Sequence, residues 1–296
     1  MRNKKHELYY HAMLLPGMIL LFIFSIIPMF GIIMAFQKFV PAKGIFGSQF
    51  VGLYNFNLLF MYPDVRKVIF NTVFIAVMKI ILGIIVPVFF AVLLNEVRSV
   101  IFKRTIQTIV YLPHFLSWVI LSVMFTNIFS YTGMVNKFLS FFGVEPIMFM
   151  ISNKWFRTIL IATDVWKGFG YGAVIYIAAM TNIDQGLYEA SDIDGANRWH
   201  KIKYITLPSI RPTIILMATL ALGNVLNAGF EQIFTMYSPL VYETSDIIDT
   251  YVYRMGLEKM QYSFATAVGL FKSVVSFVLI VLSYKLADKY AGYSIF

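Results

Sequence analysis

Six long apolar stretches, at about 12–36, 68–94, 106–130, 156–180, 209–236 and 264–287, divide this chain, with short polar connections between them. A bilayer core about 30 Å thick takes roughly 20 consecutive apolar residues per spanning helix. Each stretch is long enough to cross. Composition points the same way: 59% of residues are apolar and 13% charged, against roughly 45–50% and about 25% in a soluble domain. The fold class expected is all-α integral membrane, with six transmembrane helices and a cytoplasmic helical hairpin in a single membrane domain over residues 1–296.

Arg2, Lys4 and Lys5 precede the first run, as in a secretion signal. That run continues to residue 36 without a small-residue cleavage site, so it reads as a retained first helix. An even number of spans puts both termini on one side. With the N-terminus inside, the inner segments (1–11, 95–105, 181–211, 285–296) hold 3, 3, 4 and 2 Lys and Arg, 12 in all, and the longer outer ones (37–67, 131–157, 237–263) hold 4, 3 and 2, or 9. The positive-inside rule then makes both termini cytoplasmic. The same scatter argues against nucleic acid as the reason for the net charge of +9, because no single face gathers the cations. Without cysteine, disulfides, thiolate metal sites and a Cys nucleophile are excluded.

The outer connections carry Pro41, Gly44, Gly47, Gly143, Pro146 and Pro239, with Trp155, Tyr237 and Tyr242 where an interfacial aromatic belt belongs. The inner connection from Thr181 to Arg211 is different: long and polar, yet written as helix. Asp184 is placed to cap a short helix through Tyr188, Glu189 and Ser191, and Asp194-Gly195 is a turn signal. Trp199, Ile202 and Ile205 then recur every three residues as one apolar face. Pro208 and Pro212 mark entry to the fifth span. An amphipathic hairpin of this kind needs something to touch.

Tyr188 to Pro212 resembles the cytoplasmic coupling loop of binding-protein-dependent ABC importer permeases: Glu-Ala-Ala, three residues, Gly, nine residues, then Ile-x-Leu-Pro. Glu189, Ala190, Gly195, Ile205, Leu207 and Pro208 occupy those places, with Ser191 standing where the second Ala is expected. The surrounding residues look like the carbohydrate branch, the relatives of maltose and glycerol-phosphate permeases. Gly229 to Tyr253 is similar to permeases for complex oligosaccharides in Gram-positive bacteria. The resemblance implies a bacterial cell-membrane permease working by alternating access on a glycan from an extracellular solute-binding protein. It also implies a second homologous permease chain and two ATPase subunits, with ATP and Mg on the ATPases and the coupling loop docked in an ATPase groove. The residues agree, since no G-x-x-x-x-G-K-[ST] loop is present to hold nucleotide. No nucleophile elbow or H-E-x-x-H motif supports enzyme chemistry in this chain. Gly195 is expected at positive φ, where a side chain is opposed.

Ionisable groups inside spans are functional candidates because burying them is costly. Lys79, Asp164, Lys167, Glu231 and Lys272 are in this position. Pairing of Asp164 with Lys167 and of Glu231 with Lys272 is one reading; an ion or proton relay through Lys79, Asp164 and Glu231, as in a secondary transporter, is another. A regulatory or scaffolding membrane protein is a third class, for which deletion leaves uptake intact. Asn224, Asn227, Glu231 and Gln232 fall on a stripe of the fifth helix, and Trp166, Tyr171 and Tyr176 on the fourth. A sugar needs aromatic faces for its C–H surface and amides or carboxylates for its hydroxyls. The candidate substrate path is therefore Asn224, Asn227, Glu231, Gln232, Lys79, Trp166 and Tyr171. If Lys79 and Lys272 neutralise Glu231 the path suits a neutral oligosaccharide; if they stay unpaired it favours an acidic one, and pairing is the cheaper arrangement. His114 and His200 have no companion at metal-ligand spacing, so no metal site is expected.

Overall fold

The computed structural model describes residues 4–291. In chain order its main helices are α1 (Tyr9–Phe36), α2 (Pro63–Asn95), α3 (Val100–Phe115), α4 (Trp118–Ile128), α5 (Phe156–Thr181), α6 (Gln185–Ile193), α7 (Arg198–Leu222), α8 (Phe230–Met236) and α9 (Tyr262–Ala291). Among the described residues α1, α2, α7 and the Tyr262–Ser283 part of α9 are long and apolar enough to cross a membrane. A fifth candidate is the pair α3 and α4, bent by 103°. The helix α5 is 26 residues long, but Arg157, Asp164 and Lys167 lower its hydropathy below that of the others.

Two of the expected continuous spans are broken. The run at 106–130 turns between α3 and α4, because Pro113 sits in a 3-10 turn at Leu112–Phe115 and Ser117 restarts a helix, its Oγ accepting from the Ile120 amide at 3.4 Å. The run at 209–236 stops at Leu222 and resumes at Phe230. Between them, i to i+3 bonds from the amides of Asn224, Val225 and Asn227 replace the α-helical pattern, and Gly229 at φ +93° reverses the chain into α8.

Two of the prolines inside the other helices, Pro28 and Pro208, follow widened turns, π turns at Phe22–Ile26 and Ile202–Thr206 respectively. Proline lacks the amide and its ring clashes with the carbonyl four residues back; a π turn is one of the local distortions that relieve this. The result is that α7 runs unbroken through Pro208 from the connecting hairpin into the apolar run, so Pro208 does not start a new helix.

The chain divides into two compact units. One comprises 1–63 and 251–271. Within it α1 shows almost all of its apolar surface, Met13 and Phe24 among it. It is followed by a two-stranded ribbon, β1 (Gln37–Lys38) against β2 (Gln49–Phe50), whose base is held by the Asn55 amide donating to the Ala35 and Gln37 carbonyls.

The second unit, 64–250 and 272–296, has two apolar clusters. One joins Ile75, Leu121, Phe125, Leu160 and Ile233; the other joins Ala91, Ala173, Tyr176, Met180, Ile202 and Ile210, where α7 packs on the hairpin end of α2 and α5. Gly170 allows α3 against α5: a Cβ there would lie 2.2 Å from the Val110 carbonyl oxygen, so only glycine permits that approach.

Candidate functional site

Midway along α2 and α5, beside the C-terminal end of α7, lies a cavity of about 360 Å³. Its walls are small or apolar residues, Gly83, Gly172 and Ala221 among them, and its polar groups are Lys79, Asp164, Tyr176, Asn224 and Asn227. A space of this volume, mostly apolar with a few placed polar groups, is the usual form of a small-molecule site.

The cavity depends on the break in the fifth apolar run. Buried Lys79 donates to Asp164 Oδ1 at 3.1 Å, to the Ala228 carbonyl at 2.8 Å and to Gln232 Oε1 at 2.5 Å. An ammonium has three protons, and all three are used. Gln232 in turn donates to the Leu160 carbonyl and to Thr163 Oγ1, at 2.7 and 2.9 Å. The lysine thus ties α2 to α5, to the open turn at 223–229 and to α8. Gly229 has to be glycine twice over: its φ is +93°, and a Cβ there would stand 2.9 Å from Lys79 Nζ.

The sequence candidates divide accordingly. Lys79, Asn224 and Asn227 line the cavity. Gln232 is fully buried and acts on it only through Lys79. The expected common helical stripe of Asn224, Asn227 and Glu231 does not exist, because the segment between Leu222 and Phe230 is not helical; Glu231 is exposed and outside the cavity lining. Trp166 packs edge-on against Phe125, and Tyr171 stacks on His114 at 4.0 Å between ring centres; neither reaches the cavity. The ion pairs differ too. Asp164 takes Lys79, Lys167 donates to the His114 carbonyl at 3.1 Å, and Lys272 pairs with Asp249 at 2.5 Å, so the relay of Lys79, Asp164 and Glu231 is not assembled. Asp164 and Tyr176 stand among the polar and aromatic groups of the spans in sequence, and their cavity role appears only once α2 and α7 are placed beside them.

At one end of α5 and α7 stands the hairpin. Asp184 caps α6, its Oδ1 accepting from the Gly186 amide at 2.9 Å, and Asn197 caps α7 through the His200 amide at 2.9 Å. Between them Gly195 has φ +74°, as its place in an Asp-Gly turn predicts. Inward, Tyr188 Oη meets Thr206 Oγ1 at 2.9 Å, and Ile202 and Ile205 join the second cluster. Trp199 does not share that face: it is 71% exposed, the π turn between it and Ile205 changing the rotation per residue. Glu189, Ala190, Gly195, Leu207 and Pro208 are all exposed, and Ile205 half-buried.

Several helices apolar enough to cross a membrane, a largely apolar cavity with a few placed polar groups and a capped hairpin are parts that a transport component needs. Residues 83–291 match the family described as binding-protein-dependent transport system inner membrane component, and the chain belongs to that family. Among its relatives are the polygalacturonan/rhamnogalacturonan transport system permease protein YteP of Bacillus subtilis, 40% identical over 97% of this chain and 90% of that one, and protein LplB of the same organism, also 40% identical with the same coverage. Among solved structures, a chain of a bacterial ABC transporter involved in the import of the acidic polysaccharide alginate superposes with a TM-score of 0.88 at 38% identity over 97% of both chains. A second structure of the alginate ABC transporter, in complex with an alginate pentasaccharide-bound periplasmic protein, gives a TM-score of 0.87 at 37% identity over 96% of both chains.

Proposed function

We propose that this chain is one of two permease subunits of an ATP-binding-cassette importer in a bacterial cytoplasmic membrane, taking an oligosaccharide from an extracellular binding protein and passing it inward by alternating access. The observation that carries this reading is that the polar cavity and the hairpin share helices. Motion of the hairpin acts directly on α7, whose far end is the open turn that lines the cavity. Glu189, Ala190, Gly195, Ile205, Leu207 and Pro208 form the surface offered to an ATPase subunit, which supplies ATP and Mg²⁺. Five of the six are exposed, as a docking surface requires.

Six spans follow when α5 crosses as well as the five candidates. Its charges favour this, since each is bonded inside the protein: Arg157 to Asn71 and the Thr244 carbonyl, Asp164 to Lys79, Lys167 to the His114 carbonyl. Satisfied polar groups of this kind are tolerated in a span when they face the interior of a bundle. Both termini and the hairpin are then cytoplasmic.

The substrate class favoured is an acidic oligosaccharide. Lys79 and Lys272 are paired, with Asp164 and Asp249 instead of Glu231, so the ion pairs leave neither lysine unpaired to select for charge and the preference does not come from them. The relatives named for polygalacturonan and alginate are what support a uronic-acid oligomer. Inside the cavity Asn224, Asn227, Asp164 and Tyr176 offer amides, a carboxylate and a phenol to the sugar hydroxyls.

Affinity purification from native membranes is expected to recover a second permease of similar size and two ATPase subunits. Cells carrying the complete system are expected to take up radiolabelled trigalacturonate. Recovery of a lone permease chain, or ion-driven uptake by this chain by itself, overturns the reading.

A further inference from the structure

At the end of α5 away from the hairpin, two adjoining pockets of about 430 and 350 Å³ share one residue, Arg157. Together they are lined by four cations, Arg66, Lys67, Lys154 and Arg157, against one carboxylate, Glu243, which leaves a net charge of +3. Glu243 is taken by Lys67 at 3.0 Å. Among the described residues no carboxylate pairs with Arg66, Lys154 or Arg157.

Arg157 is held in place. Its Nε donates to the Thr244 carbonyl at 3.0 Å and its Nη2 to Asn71 Oδ1 at 2.6 Å, while the Asn71 amide nitrogen donates to the carbonyls of Glu243 and Asp246 at 3.1 and 3.2 Å. A guanidinium has five N–H donors, so three remain. Beside it the Phe70 and Phe74 rings stack 5.9 Å apart at 27°, with the guanidinium carbon 5.8 and 4.9 Å from their centres. Phe70 is largely exposed and Phe74 partly so. A fixed, unneutralised guanidinium next to open aromatic faces suits a ligand that carries a carboxylate on a ring with C–H surface, because arginine binds carboxylate in a two-pronged geometry.

We infer that this pocket is an entry site for the carboxylate of a uronic-acid residue, which holds the oligosaccharide before it reaches the mid-helix cavity. The inference rests on the oligosaccharide-importer reading above and adds a selectivity element outside the cavity. Arg157 and Arg66 bind the carboxylate, and Phe70 and Phe74 take the sugar face. The phosphate of an anionic lipid has the same oxyanion chemistry, and the test separates the two.

Uptake of trigalacturonate and of its methyl ester, equal in length but uncharged, is measured in cells with wild type, Arg157→Gln and Arg66→Gln. Losing one charge-assisted contact is worth about 1.5–3 kcal/mol, so the apparent KM for trigalacturonate is expected to rise about tenfold or more in Arg157→Gln. A smaller rise is expected in Arg66→Gln, an exposed position that leaves the fold alone, with values for the methyl ester unchanged in both. Equal KM values in variants and wild type overturn the entry site while leaving the importer reading intact, as does a parallel loss for both sugars or a complex that no longer assembles. Wild-type cells that take up neither sugar overturn the importer reading itself. Purified complexes in nanodiscs with and without phosphatidylglycerol complete the test: a lipid-dependent ATPase rate that disappears in Arg157→Gln, with KM for trigalacturonate unmoved, assigns the pocket to lipid.

Discussion

The hairpin at Gln185–Thr206 and the cavity beside the broken fifth run are both polar interruptions in an apolar chain, but they are built from opposite kinds of contact. The hairpin is largely local: Asp184 bonds two residues on, Asn197 three, and Tyr188 meets Thr206 18 residues away. The cavity is held by Lys79, whose partners Asp164, Ala228 and Gln232 are 85, 149 and 153 residues distant. A local device survives loss of any one bond. One built around a single buried ammonium does not, since removing it strands several partners at once.

The sharpest way to break this contrast is Lys79→Met. Removing one member of a buried pair costs about 3–5 kcal/mol, and Asp164 is 34% exposed, which places the effect near the lower figure. Gln232 and the Ala228 carbonyl also lose a donor. The variant is expected to lose much of its thermal stability in detergent and to abolish uptake, and Lys79→Met with Asp164→Leu is expected to recover part of the stability but not the transport. A melting temperature equal to wild type in the single variant would mean that the cavity is as locally supported as the hairpin.

Gly229→Ala probes the same cavity through the backbone. A side chain at φ +93° costs about 1–2 kcal/mol, and its Cβ at 2.9 Å displaces the lysine tip that three bonds hold in place. The expected result is a loss of about 2 kcal/mol with a fall in uptake. Unchanged uptake would show that the turn tolerates a shifted Lys79.

Gly195 offers the matched case at the hairpin. It has the same backbone requirement, φ +74°, but nothing lies within 4 Å of a Cβ built there. Gly195→Ala is therefore expected to cost only the backbone strain, at the low end of about 1–2 kcal/mol, and to keep most of the transport activity. Gly195→Arg is expected to match it in stability and to abolish uptake if the hairpin is the surface proposed above to meet the ATPase, since the added charge would stand on it. Equal uptake in the two variants would remove the hairpin from coupling.

What can be read in the sequence follows the same division. The cap at Asp184 and the Asp-Gly turn have signals within a few positions of one another, so the first half of the hairpin is legible, whereas the π turn at Ile202–Thr206, which turns Trp199 outward and carries the helix through Pro208, is not. Lys79, Asn224 and Asn227 stand out as polar groups in apolar runs, since lipid penalises such residues wherever they pair. Their arrangement is not legible. The break after Leu222 arises from turn bonds and from Lys79 taking the Ala228 carbonyl, a contact across 149 residues that no local pattern announces. For the same reason sequence spacing credits Gln232 to the path when it braces Lys79, and gives Asp164 to Lys167, three positions along its own helix, when its partner stands on α2. Arg157 is in sequence only one more charge in an outer loop, although its two bonds to distant elements hold it fixed.

The smallest expected effect belongs to Tyr188→Phe, and it tests whether the hairpin is as redundant as its contacts suggest. The change removes one bond, Tyr188 Oη to Thr206 Oγ1 at 2.9 Å, without changing the ring that packs in the second apolar cluster. A single neutral hydrogen bond contributes about 0.5–1.5 kcal/mol. Buried Thr206 keeps an alternative, since its hydroxyl also lies 3.4 Å from the Lys201 carbonyl, so the loss is expected at the low end of that range. Lys201 to Asp192 continues to hold α6 against α7, and Ser191 to the Tyr188 carbonyl braces α6 itself. Global melting is therefore expected to move by a degree or two and uptake to stay near wild type, while amide hydrogen exchange in Glu189–Ile193 speeds up by about two- to fivefold. Exchange that accelerates throughout α7 would show instead that this one bond couples the hairpin to the cavity, and the separation between the two regions would not hold.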